Sequence, residues 1–134
     1  MEMKIENKFT AEEFLDVIVD IGWNSKRGFS VSGLNMAILS STQLYCVRND
    51  NGKIIALARV LSDNYIFSTI PEIMVRTEEQ GRGHGSALMK EIINDFGHTI
   101  LFFGAQKGNE EFFEKFGFVK GVQSYTRHFT GFGI

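Results

Sequence analysis

The stretch from Glu72 to Phe96, EIMVRTEEQGRGHGSALMKEIINDF, constrains this chain more than any other. It opens on an apolar run, Ile73-Met74-Val75, that reads as the end of a strand. A short polar turn leads into Gln80-Gly81-Arg82-Gly83-His84-Gly85-Ser86. Leu88, Ile92 and Phe96 then recur at four-residue spacing, the one-face stripe of an amphipathic helix. Alternate glycines at a strand-to-helix junction let the backbone turn sharply and come close to a ligand. The first N–H groups of the new helix have no intrahelical partner and lie at the positive end of its dipole. Such a junction is an anion site, suited to a phosphate or pyrophosphate.

Two common phosphate loops do not fit. A Walker loop needs a lysine followed by Ser or Thr, and no lysine stands in this loop. A dinucleotide fingerprint needs a glycine where Ser86 stands and an acid about 20 residues further on, where the chain reads Ile100-Leu101-Phe102. A glycine-rich connector that binds nothing remains the alternative for the loop taken alone.

With 134 residues the chain is expected to form a single domain over 1–134, long enough for one core. A hydrophobic fraction of 43% and a charged fraction of 22% are those of a globular protein. The net charge of −2, without blocks of like charge, gives no reason to expect a nucleic-acid or membrane-surface partner. The single cysteine, Cys46, excludes an internal disulfide and a cysteine-rich zinc site, and no metal is expected. No membrane-length apolar run or signal-peptide pattern occurs, so a cytoplasmic location is expected.

The remaining elements follow in order. Met3 to Phe9 alternates weakly, as a first strand would. Thr10-Ala11-Glu12-Glu13 is a capping box opening a helix to about Asp20, which Gly22 ends. The polar segment Gly22 to Ser30 holds the only tryptophan, and a second helix is expected over Ser32 to Leu39. Trp23 and Phe29 read either as a core lid over this segment or as the wall of an acceptor pocket. Leu44 to Arg48 and Lys53 to Leu61 form a hairpin about Asp50-Asn51-Gly52, and Ser62-Asp63-Asn64 turns into a long strand, Tyr65 to Val75. Pro71 lies inside that strand, which marks an edge or a bulge. Beyond the loop helix, Thr99 to Ala105 reads as a strand and Glu110 to Phe116 as a helix capped by Asn109. Phe118 to Gln123 and Tyr125 to Phe129 read as final strands. The order β-α-α-β-β-β-α-β-α-β-β is mixed α/β.

Gln80-x-x-Gly83-x-Gly85 resembles the Q/R-x-x-G-x-G/A signature of the GNAT acyltransferase superfamily. Val75, five residues before Gln80, fits the V-x-P-E-Y-Q-G-K-G-I-G pattern, with Thr77 and Glu79 in place of the usual proline and tyrosine. Glu111-Phe112-Phe113-Glu114-Lys115-Phe116-Gly117-Phe118 is similar to that family's C-terminal motif, usually FYEKLGF. Arg59-Val60-Leu61-Ser62-Asp63 resembles a turn in a small bacterial, single-domain branch acting on small amines. The resemblance runs from about Thr10 to Tyr125. It implies a central, mostly antiparallel sheet flanked by helices and splayed after the fourth strand, with a bulge in that strand.

It also implies the cosubstrate, acetyl-CoA. Gln80, Gly81, Arg82, Gly83, His84, Gly85 and Ser86 would cradle its pyrophosphate, His84 through its backbone N–H. Free backbone groups of Ile73, Met74 and Val75 would pair with its pantetheine arm, and Asn109 and Phe113 would lie on its side of the site. Phe113 stands where many members carry a tyrosine thought to protonate the leaving thiolate, so that acid does not carry over. Tyr125 is a candidate in its place, unless solvent does the work. Glu72 is the candidate for holding the substrate ammonium or, through a water, removing its proton, against the alternative of an exposed strand carboxylate. The expected reaction is direct acetyl transfer to a primary amine of a small molecule. Acetylation of a protein N-terminus or lysine, and a non-catalytic acyl-CoA-binding regulatory module, are the alternatives. Homodimerisation is a tendency the resemblance implies.

Overall fold

Local signals place most of the elements. In the computed structural model, which describes residues 3–23, 28–105, 108–121, 125 and 127, α1 spans Ala11–Ile21. Its capping box is complete: the Thr10 hydroxyl accepts from the Glu13 N–H at 3.1 Å, and the Glu13 carboxylate accepts from the Thr10 N–H at 2.9 Å. Gly22 ends the helix in the left-handed region at φ 72°, where a side chain would be strained. Ser30 caps α2 (Val31–Leu39) by accepting from the Gly33 N–H.

Two turns order the strands. Between β2 (Gln43–Arg48) and β3 (Ile54–Ser62), the Asn49 side chain accepts from the Asn51 and Lys53 N–H groups. Between β3 and β4 (Phe67–Val75), the Asp63 carboxylate accepts three backbone N–H groups, from Tyr65, Ile66 and Phe67. These bonds favour its charged form and lower its pKa. The N-terminal strand is shorter than expected: β1 is only Ile5–Glu6, paired to β2. After the 3-10 turn Thr77–Glu79 come α3 (His84–Phe96), β5 (Ile100–Phe102) and α4 (Glu110–Glu114).

The sheet order is β1-β2-β3-β4-β5, antiparallel except for the parallel β4–β5 pair. Alternation along β3 sends Ala56, Ala58 and Val60 to the face covered by α3, with Leu88, Met89, Ile92 and Phe96. Leu57 goes to the opposite face, with Phe14, Val17, Ile18 and Leu34 of α1 and α2. Arg59 follows Leu57 by two residues and is buried on that second face. A charge there needs a partner.

β5 pairs with β4 only over Phe67–Thr69, and β4 then runs on to Val75 beside β3 alone. The β3–β4 register shifts between Arg59 and Leu61, opposite the stretch that holds Pro71. A residue without an N–H is thus absorbed at an irregularity, as its position inside a strand required. Where pairing persists, the Ser62, Ser68 and Thr99 hydroxyls form a chain at 2.7 and 2.6 Å that links β3 and β4 to the residue just before β5. The sheet is closed at that end and parted at the other.

The C-terminal expectation fares differently. Residues 118–121 form no strand, nor does Tyr125, and the rest of the two expected strands lies outside the described residues. The β5 strand is also shorter than expected, because β4 accompanies it for only three residues. None of the described helices is long and apolar enough to cross a membrane.

Candidate active site

The glycine loop starts where β4 leaves the sheet. Arg76 is 4% exposed; its Nε donates to the Ile54 carbonyl at 2.5 Å and it forms an ion pair with Asp16 of α1. The Thr77 N–H donates to Asp20, so the turn is anchored to α1 on both sides. The Gln80 amide donates back to the Val75 carbonyl at 3.1 Å, closing the loop upon the strand end. Gly81 and Gly83 take φ values of 79° and 88°. These left-handed conformations are what the alternate glycines supply.

Gly83 is the N-cap of α3 and no side chain caps that helix. The first bond of the helix runs from the Ala87 N–H to the Gly83 carbonyl, so the N–H groups of His84, Gly85 and Ser86 precede the ladder. A Cβ on Gly85 would lie 3.4 Å from the Phe112 ring, which seats the terminus against α4. His84 keeps Nε2 3.6 Å from Glu79, while its buried Nδ1 has no protein partner. Arg82 is mostly exposed and bonds Glu79 at 3.0 Å. An uncapped helix terminus with an unpartnered ring nitrogen beside it fits a phosphate-bearing ligand.

The parted end of the sheet adds a row of backbone groups. The Arg76 N–H bonds the Ile55 carbonyl of β3. Strand alternation then turns the N–H and carbonyl of Val75 away from β3, toward the side β5 has left. The bond from Gln80 to the Val75 carbonyl agrees with that orientation. Ile73 shares it, whereas Met74 faces β3 with its backbone.

Two cavities meet at this end. One, of about 150 Å³, lies along the open side of β4 and is lined by Pro71, Ile73, Met74, Phe103, Asn109 and Phe113, among others. The second, of about 290 Å³, lies between the sheet and α1–α2 and is lined by Phe14, Phe29, Leu34, Ala37 and Arg59. Glu72 and Trp23 line both. Trp23 and Phe29 stack in parallel, with ring centroids 5.5 Å apart and 11° between planes.

Glu72 is no exposed strand carboxylate. Its side chain is 8% exposed and accepts from Arg59 at both oxygens, from Nε at 2.5 Å and from Nη2 at 2.9 Å. Arg59 Nη1 donates to the Ala37 carbonyl and the Ser41 hydroxyl, which ties the pair to the end of α2.

The structure thus gathers Trp23, Phe29, Glu72, Ile73, Met74, Asn109 and Phe113 around the two cavities, with the loop from Gln80 to Ser86 continuing from β4. Phe113 is 9% exposed and packs against Phe103, with ring centroids 4.2 Å apart. Tyr125 is 88% exposed and lines neither cavity. Sequence reasoning does not single out Phe14, Leu34, Ala37, Phe103 or Arg59 as site residues. For Arg59 a signal exists, a lone cation inside the apolar run Ile54–Leu61.

A mixed sheet that parts at its fourth strand, with a glycine-built helix terminus at the opening, defines an acetyltransferase architecture. Residues 41–120 match the family model of the GNAT acetyltransferase domain, and the chain belongs to that family. It is 29% identical over 135 residues to the probable acetyltransferase TAP2 of Glycine max, an alignment covering 85% of this chain and 52% of that protein. It is 32% identical over 91 residues to the histone acetyltransferase TAP1 of the same plant, covering 60% and 38%. The crystal structure of a GNAT-family acetyltransferase described as putative, from Xanthomonas campestris, superposes with a TM-score of 0.80. The two are 19% identical, with 98% of this chain and 96% of that one covered. The chain spans about half the length of the curated relatives it matches. Those relatives come from Glycine max, Arabidopsis thaliana and Pyropia yezoensis, and one is named chloroplastic.

Proposed function

We propose that this domain transfers the acetyl group of acetyl-CoA to a primary amine of a small molecule by direct attack. The observation that carries the reading is that the two cavities share Glu72 and Trp23, so that a donor in one faces an acceptor in the other across a single carboxylate.

The donor supplies a thioester, whose carbonyl carbon is the electrophile. The amides from Gly81 to Ser86 hold the pyrophosphate, and the open side of β4 takes the pantetheine arm as an added strand. The outward N–H of Val75 donates to the thioester carbonyl as negative charge grows on its oxygen. Glu72 keeps acceptor capacity beyond the two bonds from Arg59, because an ionised carboxylate offers about four lone-pair sites. It holds the amine and, through a water, takes its proton. A nitrogen–carbon bond forms and the carbon–sulfur bond breaks. The thiolate leaves without an acid at Phe113 and takes its proton from solvent.

A protein lysine or N-terminus as acceptor is the second reading, favoured by the histone acetyltransferase named among the relatives. Calorimetric titration with acetyl-CoA, followed by thiol release against small amines and lysine peptides, separates the readings. Binding with release to small amines supports the first, and release only with peptides supports the second. Binding without release under either would leave a regulatory acyl-CoA module. Glu72→Gln is expected to lower turnover more than donor affinity.

A further inference from the structure

Among the described residues, the wall of the larger cavity carries one cation, Arg59, and one anion, Glu72, and this restricts what it can hold. A guanidinium has five N–H donors. Four of those on Arg59 are spent, two on Glu72, one on the Ala37 carbonyl and one on the Ser41 hydroxyl. With one N–H left, Arg59 cannot hold a carboxylate or phosphate of an acceptor through two bonds without abandoning Glu72. Glu72, already matched by Arg59, can take one amine but offers no counter-charge to a second.

Apart from Ser30, the rest of the wall among the described residues is apolar: Phe14, Leu34, Ala37 and the parallel pair of Trp23 and Phe29. The one hydroxyl among its described residues, that of Ser30, accepts from the Gly33 N–H as the cap of α2. Beyond that hydroxyl and the spare lone pairs of Glu72, the several hydroxyls of a sugar would meet an apolar described wall, and those left unpaired there are costly. Charge balance also suits the chemistry, since an amine must lose its proton before it attacks. A pocket without net negative charge does not resist that loss.

We infer that the larger cavity selects a monoamine carried on a flat apolar body, and that Arg59, by neutralising Glu72 and spending its own donors, is the residue that sets this selectivity. The inference rests on acetyl transfer at this cavity, but binding and transfer can be read separately.

Trp23 is the only tryptophan in the chain, and it lines the cavity. Its fluorescence, followed with and without coenzyme A, reports occupancy whether or not transfer occurs. The probes are 2-phenylethylamine, spermidine, glucosamine and glutamate. Saturation by 2-phenylethylamine is expected at a concentration about tenfold or more below that of the other three. Equal or tighter binding of any of those three, or no saturable response to 2-phenylethylamine, overturns the inference. If the ranking holds while thiol release is absent with every amine, acetyl transfer fails as the function and the selectivity of the pocket stands.

Arg59→Met and Arg59→Gln free Glu72 of its counter-charge. Both are expected to improve spermidine about tenfold relative to 2-phenylethylamine. Arg59→Lys, which keeps the charge, should hold the wild-type ranking. An unchanged ratio in a folded Met or Gln variant removes Arg59 from the selectivity. If neither variant folds, the ranking measured on the wild-type protein still decides the class of acceptor.

Discussion

Arg59 and Glu72 face one another as register partners across the β3–β4 ladder, and their side chains meet in two hydrogen bonds of 2.5 and 2.9 Å. With 10% and 8% of their side chains exposed, neither is well solvated, so each depends on the other. Removing one partner of such a pair strands a buried charge. Arg59→Ala is therefore expected to cost about 3–5 kcal/mol, measured by urea denaturation. The double variant Arg59→Met, Glu72→Leu should cost clearly less than Arg59→Ala alone. Equal losses would mean that the damage is lost packing and not an uncompensated charge.

A second ion pair sets an acid limit to stability. The Arg48 guanidinium bonds Glu13 and holds its pKa below the ordinary 4.5, in spite of partial burial, which acts the other way. A carboxyl depressed on folding contributes stability that is fully present above its unfolded pKa and is lost as the pH falls through the folded value. Glu13→Gln keeps the reciprocal capping bond available to Thr10 and removes the charge. Wild type should be the more stable of the two at neutral pH, with the gap closing as the pH drops below 4.5. Denaturation midpoints along that series check it, and a gap independent of pH would count against the pair.

How much of this was legible follows from the range over which each signal acts. The cap at Thr10, the stop at Gly22, the turn at Asp63 and the glycine loop are settled within a few residues of chain, and all were readable. The Arg59–Glu72 pair depends on a strand register that shifts between Arg59 and Leu61, and no local pattern sets that shift. The acceptor-side wall is likewise non-local, since Phe14 and Leu34 reach it only once α1 and α2 pack on the sheet. The segment from Phe118 reads as a strand, but residues 118–121 form none, and Phe118 packs its ring against Phe103 and against Phe113 of α4.

The glycines of the loop should separate by mechanism. A Cβ on Gly83 would meet open space, but its φ is 88°, so Gly83→Ala strains the backbone by about 1–2 kcal/mol. It should weaken acetyl-CoA binding by moving the first amides of α3. Gly85 lies inside the helix with an ordinary φ, and its Cβ would make ordinary contacts with Phe112 and Val75, so Gly85→Ala should be the milder change in thermal unfolding. Gly83→Trp is expected to abolish donor binding in a domain that still folds. Calorimetry paired with circular dichroism tests both points, and undiminished affinity in Gly83→Trp would remove the loop from the donor site.

Phe113 tests whether the reaction needs an acid at all. It is 9% exposed, lines the donor-side cavity and packs on Phe103, at the position where the family's motif has a tyrosine. A thiol with a pKa of about 8.5 leaves readily as its thiolate, and solvent can protonate it afterwards. Phe113→Tyr is therefore expected to change turnover by less than about tenfold, since transfer of a proton in the transition state is the only gain open to it. The variant places a hydroxyl among aromatic rings, and an unpartnered hydroxyl there would cost about 1–3 kcal/mol of stability. Turnover as a function of pH, with thermal unfolding as the control, separates the two effects. A rise in turnover well beyond tenfold, with a new basic limb in the profile, would show that the wild-type domain lacks an acid its chemistry can use.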